Sequence, residues 1–303
     1  MNYYDKIKSE FISNQVYKNV KDYYKNRNDL MTYYNVGKLL IEAQGGEGRA
    51  KYGDGLIKEY SKKLIDELGK GYTVTSLKRM RQFYLIVQKG APLEHQLSWS
   101  HYKLLLPLKD LDKIKYYIHQ IINYNLSKRQ LEQIIKSKEY ERLDDNTKFK
   151  LVSKEKKQIQ DYIKHPILIK NSMNIEEITE EVLEQLILND MDSFLLELGE
   201  GFCYISHQYK IKIGDSYNYI DLLLYNIIYN CYVVVELKVT ELKKEHIGQT
   251  QVYMNYINKN LKRVDQNNTI GIIVCKKENE FVMEYCSDSR IYETTYMLVN
   301  ECV

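Results

Sequence analysis

Proline is scarce in this chain, 3 among 303 residues, and tryptophan occurs once. Lysine, asparagine, isoleucine and tyrosine are abundant instead, a pattern of low-GC coding bias, so the 29 tyrosines carry no chemical message by number alone. No stretch approaches the run of about 20 apolar residues that a membrane-spanning helix requires. The first residues, MNYYDKIKSE, are polar and lack the apolar core of a secretory signal. A soluble, intracellular (cytoplasmic) protein with no membrane partner is expected. Metal-binding cysteine patterns are missing too. Cys203, Cys231, Cys275, Cys286 and Cys302 show no CxxC or Cys/His spacing, which argues against zinc or a disulfide framework and predicts buried thiols in a reducing compartment.

The length, at 44% hydrophobic composition, suits two domains with cores of their own. A net charge of +3 hides an asymmetry: residues 1–150 hold 28 Lys+Arg against 18 Asp+Glu, and residues 151–303 hold 16 against 23. A basic module is the electrostatic footprint of polyanion binding, while carboxylates gathered in the other half suit a metal. Solvated lysine-rich helix surfaces would give the same count.

The first half has helical periodicity. Ile7, Phe11, Val16, Val20, Leu30, Tyr33, Val36, Leu40 and Ile41 recur every three or four residues, predicting a helix or helix pair up to about Ala43. GGEGRAKYGDG (Gly45 to Gly55) lacks the GxxxxGK[ST] pattern and reads as a connecting loop. A helix from about Leu56 to Leu68 stops at Gly69 to Gly71, and Thr75 or Ser76 is expected to cap the next one. In that helix Leu77, Met80, Tyr84 and Val87 form the expected buried stripe, leaving Lys78, Arg79, Arg81 and Gln82 facing out. Two helices joined by a glycine turn, the second with long donors in its first turns, suit a helix-turn-helix reader of nucleic acid, though many helical hairpins look alike. His101, beside Trp99, has no nucleophile pattern near it and reads as a packing or hydrogen-bonding residue. Further helices are expected over 110–123 and 127–137, the latter capped by Ser127. The basic helical domain is thus drawn over 1–145, and the polar residues 146–175 as a connector.

From residue 176 the pattern changes to an α/β arrangement: one or two helices over 178–199, strands from Gly201, a hairpin turning near Asn230, a helix over 241–261, a buried strand over 269–275, then a last helix and strand. Within the hairpin, YIDLLLYN places Asp221 in an apolar strand, and VVVELKV places Glu236 and Lys238 two apart in the next. Side chains at i and i+2 of a strand share a face. Burying such charges costs several kcal/mol unless they find partners or a metal.

An Asp followed about fifteen residues later by Glu-x-Lys on the adjacent strand resembles the motif of PD-(D/E)xK nucleases. Residues 194–256, through FLLELGEGFCYISHQYKI, YIDLLLYN, VVVELKV and GQTQVYMNY, resemble the C-terminal nuclease domain of the YhcG-type family in that superfamily. RAKYGDGLIKEYSKKL, GKGYTVTSLKRMRQFY and LSWSHYKLLL resemble the family's N-terminal domain of helix-turn-helix character. Ile220 stands where the superfamily's name implies proline. The resemblance implies a restriction-endonuclease-like mixed sheet flanked by helices over 176–303, behind an all-helical N-terminal domain.

It further implies roles. Asp221 and Glu236 would hold Mg2+ (Mn2+ as substitute), with the backbone carbonyl of Leu237 as a third donor. Lys238 would stabilise the phosphate under attack, Glu197 would be the superfamily's helical acid at or beside the metal, and Gln249 would orient water or phosphate. His207 and Gln208, on the neighbouring strand, read more readily as structural. The implied function is a metal-dependent DNA endonuclease with an N-terminal nucleic-acid-binding module. The alternative is a non-catalytic DNA-binding or regulatory protein on a nuclease-like scaffold. RNA as substrate, a homodimer and the biological pathway stay open.

Overall fold

Apolar residues three and four apart bring helices together in the first half, and β-branched runs build a sheet in the second. The computed structural model describes residues 2–19, 25–46, 54–153, 158–172 and 174–300. It divides into two units, Met1–Ile135 and Lys136–Val303. No helix among the described residues is long and apolar enough to cross a membrane.

The first unit is all helical: α1 (Tyr3–Asn19), α2 (Lys25–Ala43), α3 (Asp54–Leu68), α4 (Val74–Gln88), α5 (Trp99–Leu105), α6 (Leu111–Tyr124) and α7 (Lys128–Lys136), the last straddling the unit boundary. The first periodic stretch is therefore a helix pair; Val20 and most of the glycine-rich loop lie outside the described residues. Ile7, Phe11, Val36, Leu40, Ile57, Leu64, Leu77 and Met80 form one core. Close packing of α2 on α4 depends on Gly37, where a Cβ would lie 2.2 Å from the Met80 carbonyl oxygen and 2.8 Å from the Tyr84 Cβ.

Two expectations for α4 need correction. Thr73, not Thr75 or Ser76, caps it, accepting the Ser76 N–H at 3.2 Å. The buried stripe is Leu77, Met80 and Phe83, with Tyr84 and Val87 only half-buried. Phe83 is drawn in by aromatic neighbours: its ring meets Trp99 edge-on at 5.4 Å and Tyr102 at 4.7 Å. Ser127 does form a cap, its hydroxyl accepting the Gln130 N–H while Gln130 Oε1 accepts the Ser127 N–H.

In the second unit, residues read as connector carry structure. They contain α8 (Asp145–Ser153), a 3-10 turn (Ile159–Tyr162) and strand β1 (Ile167–Lys170). Then come α9 (Glu180–Asn189), α10 (Met191–Leu198), β2 (Phe202–Ile213), β3 (Ser216–Asn226), β4 (Cys231–Glu241), α11 (Lys244–Asn260), β5 (Ile270–Lys277), α12 (Glu280–Glu284) and β6 (Ile291–Val299). The six strands lie in the order β1-β6-β5-β4-β3-β2. β2, β3 and β4 are antiparallel neighbours, whereas β4, β5, β6 and β1 pair in parallel. Such a mixed sheet with helices on both faces is an α/β (α+β) fold.

Leu222, Leu224, Val233, Val235 and Leu237 point into a core shared with Leu183, Leu186 and Ile187 of α9 and Phe194 of α10. Leu223, Val234 and Ile273 point the other way, against Tyr253, Met254 and Ile257 of α11. Gly271 lets α11 approach β5, since a Cβ there would meet the Thr250 methyl at 2.4 Å. Cys231 and Cys275 are buried as expected; Cys203 is exposed on the edge strand, contrary to expectation.

Candidate active site

The β3–β4 ladder runs from Asn226 opposite Cys231 to Leu222 opposite Val235 and then stops. The next residues would be Asp221 and Glu236. Instead of a ladder bond, the Asp221 carboxylate reaches across and accepts the Leu237 N–H on Oδ2 at 2.8 Å. On the other side of Asp221 stands Gln208, whose φ of 45° is a left-handed conformation rarely taken by glutamine. Regular alternation fails here: Ile220 and Leu222, two apart on one strand, belong to opposite cores. A local backbone cost of order 1 kcal/mol is thus held at the strand fork.

Lys238 lies at the centre of this fork. Its ammonium is 3.3 Å from Glu180 Oε2, 3.6 Å from Glu236 Oε2 and 3.9 Å from Asp221 Oδ2. Glu236 is 1% exposed, and its Oε1 has no hydrogen-bond partner among the described residues. Burial, with the Asp221 charge added, pushes the Glu236 carboxyl up to about 8. Burial also raises Asp221, against the Leu237 N–H and Lys238. Burial pulls Lys238 down, but the surrounding carboxylates outweigh it and hold the ammonium above its ordinary range. Among those carboxylates Glu236 acts most strongly on Lys238, followed by Asp221 and Glu180.

The structure places Glu197 elsewhere. It takes Arg142 in a two-pronged ion pair, one arm at 3.0 Å, accepts the Leu168 N–H at 3.0 Å and lies 3.8 Å from Lys164. Burial would raise its carboxyl, yet those donors hold it below the usual range. A carboxylate with its lone pairs so committed is a structural ion-pair residue, not the helical acid of the site.

Glu184 of α9, which sequence reasoning missed, stands beside Asp221 instead. It is buried, accepts from Gln208 Nε2 at 2.8 Å on Oε2, and leaves Oε1 without a partner among the described residues. Burial raises it above the Gln208 bond's opposing pull, with the charge of Asp221 contributing. Gln208 stands next to Asp221 across the β2–β3 ribbon, so the Glu184 carboxylate it holds lies close to that of Asp221. The signal available was a glutamate in register with Leu183, Leu186 and Ile187 on the buried side of a helix, four residues after Glu180.

Gln249 is near but indirect. Its Nε2 donates to the Tyr253 hydroxyl at 2.9 Å, and buried Tyr253 is raised by desolvation, with Glu236 and Asp221 adding to the shift. His246 accepts the Lys243 N–H on Nδ1 at the start of α11, and its pKa is lowered by burial and by Lys238. His207 is spent on Tyr204, whose hydroxyl lies 2.7 Å from Nδ1. His101 accepts the Ser98 N–H as part of a capping box, a structural role. Leu237 presents its N–H to Asp221.

Among the described residues no three His, Cys, Asp or Glu side chains converge as a metal cage. Buried Glu236, with its Oε1 unpartnered, and half-buried Asp221 fit a hard divalent cation, which takes few protein ligands and keeps waters. In the first unit, the four residues proposed for nucleic acid separate. Gln82 donates to the Leu106 carbonyl and Arg81 to Gln44 Oε1 at 3.2 Å, while Arg79 is exposed and Lys78 half-buried.

A mixed sheet flanked by helices, with Asp, Glu and Lys side chains meeting where two strands part, defines the PD-(D/E)xK class of nuclease folds. Residues 160–301 match the model of the YhcG PDDEXK nuclease domain, and residues 11–142 that of the DUF1016 N-terminal domain. The chain belongs to the YhcG-type family. It is 29% identical over 286 aligned residues to the Escherichia coli K12 protein named "Putative nuclease YhcG", covering 82% of this chain and 76% of that one. Two solved structures are also similar. A repair endonuclease from Pyrococcus abyssi has 19% identity and a TM-score of 0.28, over 42% of this chain and 49% of the other. An EndoMS–dsDNA complex has 16% identity and a TM-score of 0.28, over 42% and 48%. The chain spans about half the length of those two proteins, and superpositions of that score bear on neither fold nor function.

Proposed function

We propose that the protein is a metal-dependent DNA endonuclease whose N-terminal helical unit binds nucleic acid. The observation that carries this reading is the convergence of Asp221, Glu236 and Lys238 at the strand fork, with Glu236 buried and one of its oxygens unsatisfied. Asp221 and Glu236 would hold Mg2+ or Mn2+, with Glu184 beside them. When bound, such a cation polarises a phosphoryl oxygen and acidifies water.

The chain's own residues supply the rest. Lys238, kept charged by Glu236, Asp221 and Glu180, offers an ammonium to the negative charge that builds on a phosphate under attack. Gln208 fixes the rotamer of Glu184, and the Leu237 N–H fixes the Asp221 oxygen that faces Lys238. Tyr253 and Gln249 close the α11 side, where a polar pair can orient a water.

The test is cleavage of plasmid and linear DNA by the purified full chain with Mg2+ or Mn2+. Wild type should cut, whereas Asp221→Asn, Glu236→Gln and Lys238→Ala should each lose at least a hundredfold in rate while remaining folded by circular dichroism. Equal cleavage by wild type and Glu236→Gln would overturn the assignment.

A further inference from the structure

Beyond Gln208, β2 and β3 continue as a two-stranded ribbon to the turn at Gly214 and Asp215. Its register puts Lys210 opposite Tyr219 and Lys212 opposite Tyr217. Strand alternation places these four on one face, with Tyr209, Ile211, Asn218 and Ile220 on the other. The second face is spoken for: Ile211 and Ile220 are buried in the core against α11, and Tyr209 packs on it. The first face is open, with Tyr217 57% and Tyr219 47% exposed.

The ring of Tyr217 has the Lys210 ammonium 3.8 Å from its centroid and that of Lys212 at 5.9 Å. Neither lysine is ion-paired to a carboxylate among the described residues. Within a predominantly acidic half of the sequence, the ribbon therefore carries two positive charges and two open aromatic rings. Tyr219 is only two residues from Asp221, about 7 Å along a strand. The patch is continuous with the strand fork.

We propose that this face of the β2–β3 ribbon is a binding surface for single-stranded DNA running to or from the strand fork, a proposal that rests on the nuclease reading above. Lysines held against an aromatic ring are matched in charge to phosphates and lose little freedom on meeting them. Exposed tyrosine rings are matched to base faces, and only an unpaired base has a face free to stack on them. A continuous duplex could satisfy the lysines but would leave the rings idle. The substrate class assigned is thus DNA with a single-stranded segment, and the rungs Lys210–Tyr219 and Lys212–Tyr217 set which strand is held.

The experiment measures anisotropy of labelled oligo-dT of about 20 nucleotides, and of a duplex of equal length, with the full chain in EDTA, where no cleavage occurs. Tyr217→Ala/Tyr219→Ala should weaken oligo-dT binding about tenfold or more and duplex binding less than about twofold, and Tyr217→Phe/Tyr219→Phe should restore it. Lys210→Ala/Lys212→Ala should reduce the salt dependence of oligo-dT binding by roughly one in log–log slope. Oligo-dT binding unchanged in the tyrosine double variant, or equal losses on duplex, would overturn the proposal. So would a shift in self-association by sedimentation with DNA affinity intact, which would make the face a contact between copies. Cleavage with metal is scored separately: indistinguishable wild type and Glu236→Gln would sink the nuclease reading and leave the binding result standing.

Discussion

Two glutamates part company once side chains are placed. Glu197 sits in a four-residue stretch, LLEL, that reads as well as Glu184 does on paper, but the tertiary structure gives it Arg142, and gives Glu184 to Gln208 and Asp221. Glu197→Ala strands a buried guanidinium and should cost about 3 kcal/mol, seen as a lowered melting temperature. Glu184→Ala should instead leave melting of the metal-free protein close to wild type and weaken Mn2+ binding about tenfold or more by calorimetry.

Glu236 makes the metal-free protein sensitive to pH. Its folded-state carboxyl, pushed up to about 8, keeps a proton that the unfolded chain gives up near 4.5. This contribution to stability is complete below about 4.5 and is lost as pH rises through about 8. Without metal, wild type should therefore lose on the order of a few kcal/mol between pH 5 and 8.5 that Glu236→Gln, neutral throughout, does not lose. Parallel thermal melts in EDTA read the difference; identical pH profiles would contradict it.

At the scale of elements, pairing and burial decide more than propensity. The hairpin at Asn230 was legible because apolar alternation and a turn residue coincide, and Asn230 indeed adopts a φ of 51°. β1 was not legible: four residues in a polar stretch become a strand only because β6 offers them a parallel edge. Likewise, nothing local marks Gly37, yet α4 rests on it. Gly37→Ala should destabilise the protein by about 1–3 kcal/mol despite alanine's better helix propensity, because α4 must move off α2. A raised rather than lowered unfolding temperature would show that the helices can adjust.

For the whole molecule, charge is divided as the sequence showed, with an excess of lysine and arginine before residue 150 and of acids after it. If the helical unit delivers the chain to DNA, Lys78→Glu/Arg79→Glu should raise the Kd for duplex and flatten its salt dependence by about two in log–log slope, with kcat at saturating DNA unchanged. A matching fall in kcat would place those residues in the chemistry instead. Arg81 and Gln82 are poorer probes, since their bonds to Gln44 and Leu106 make substitution a stability change.

Some of this protein is written in local pattern. Helical periodicity before residue 140, alternating strands after 200, the Asp221 and Glu236-x-Lys238 spacing and the charge asymmetry all follow from short-range repetition, which any stretch of chain carries within itself. The tertiary structure alone decided which acid lies beside Asp221, why Asp221 takes the Leu237 N–H, and which face of the β2–β3 ribbon is left open. Those outcomes depend on partners between 5 and about 60 residues distant, and on a left-handed Gln208 that overrides strand alternation. Burial and pairing between remote segments are properties of the fold, not of any segment read alone.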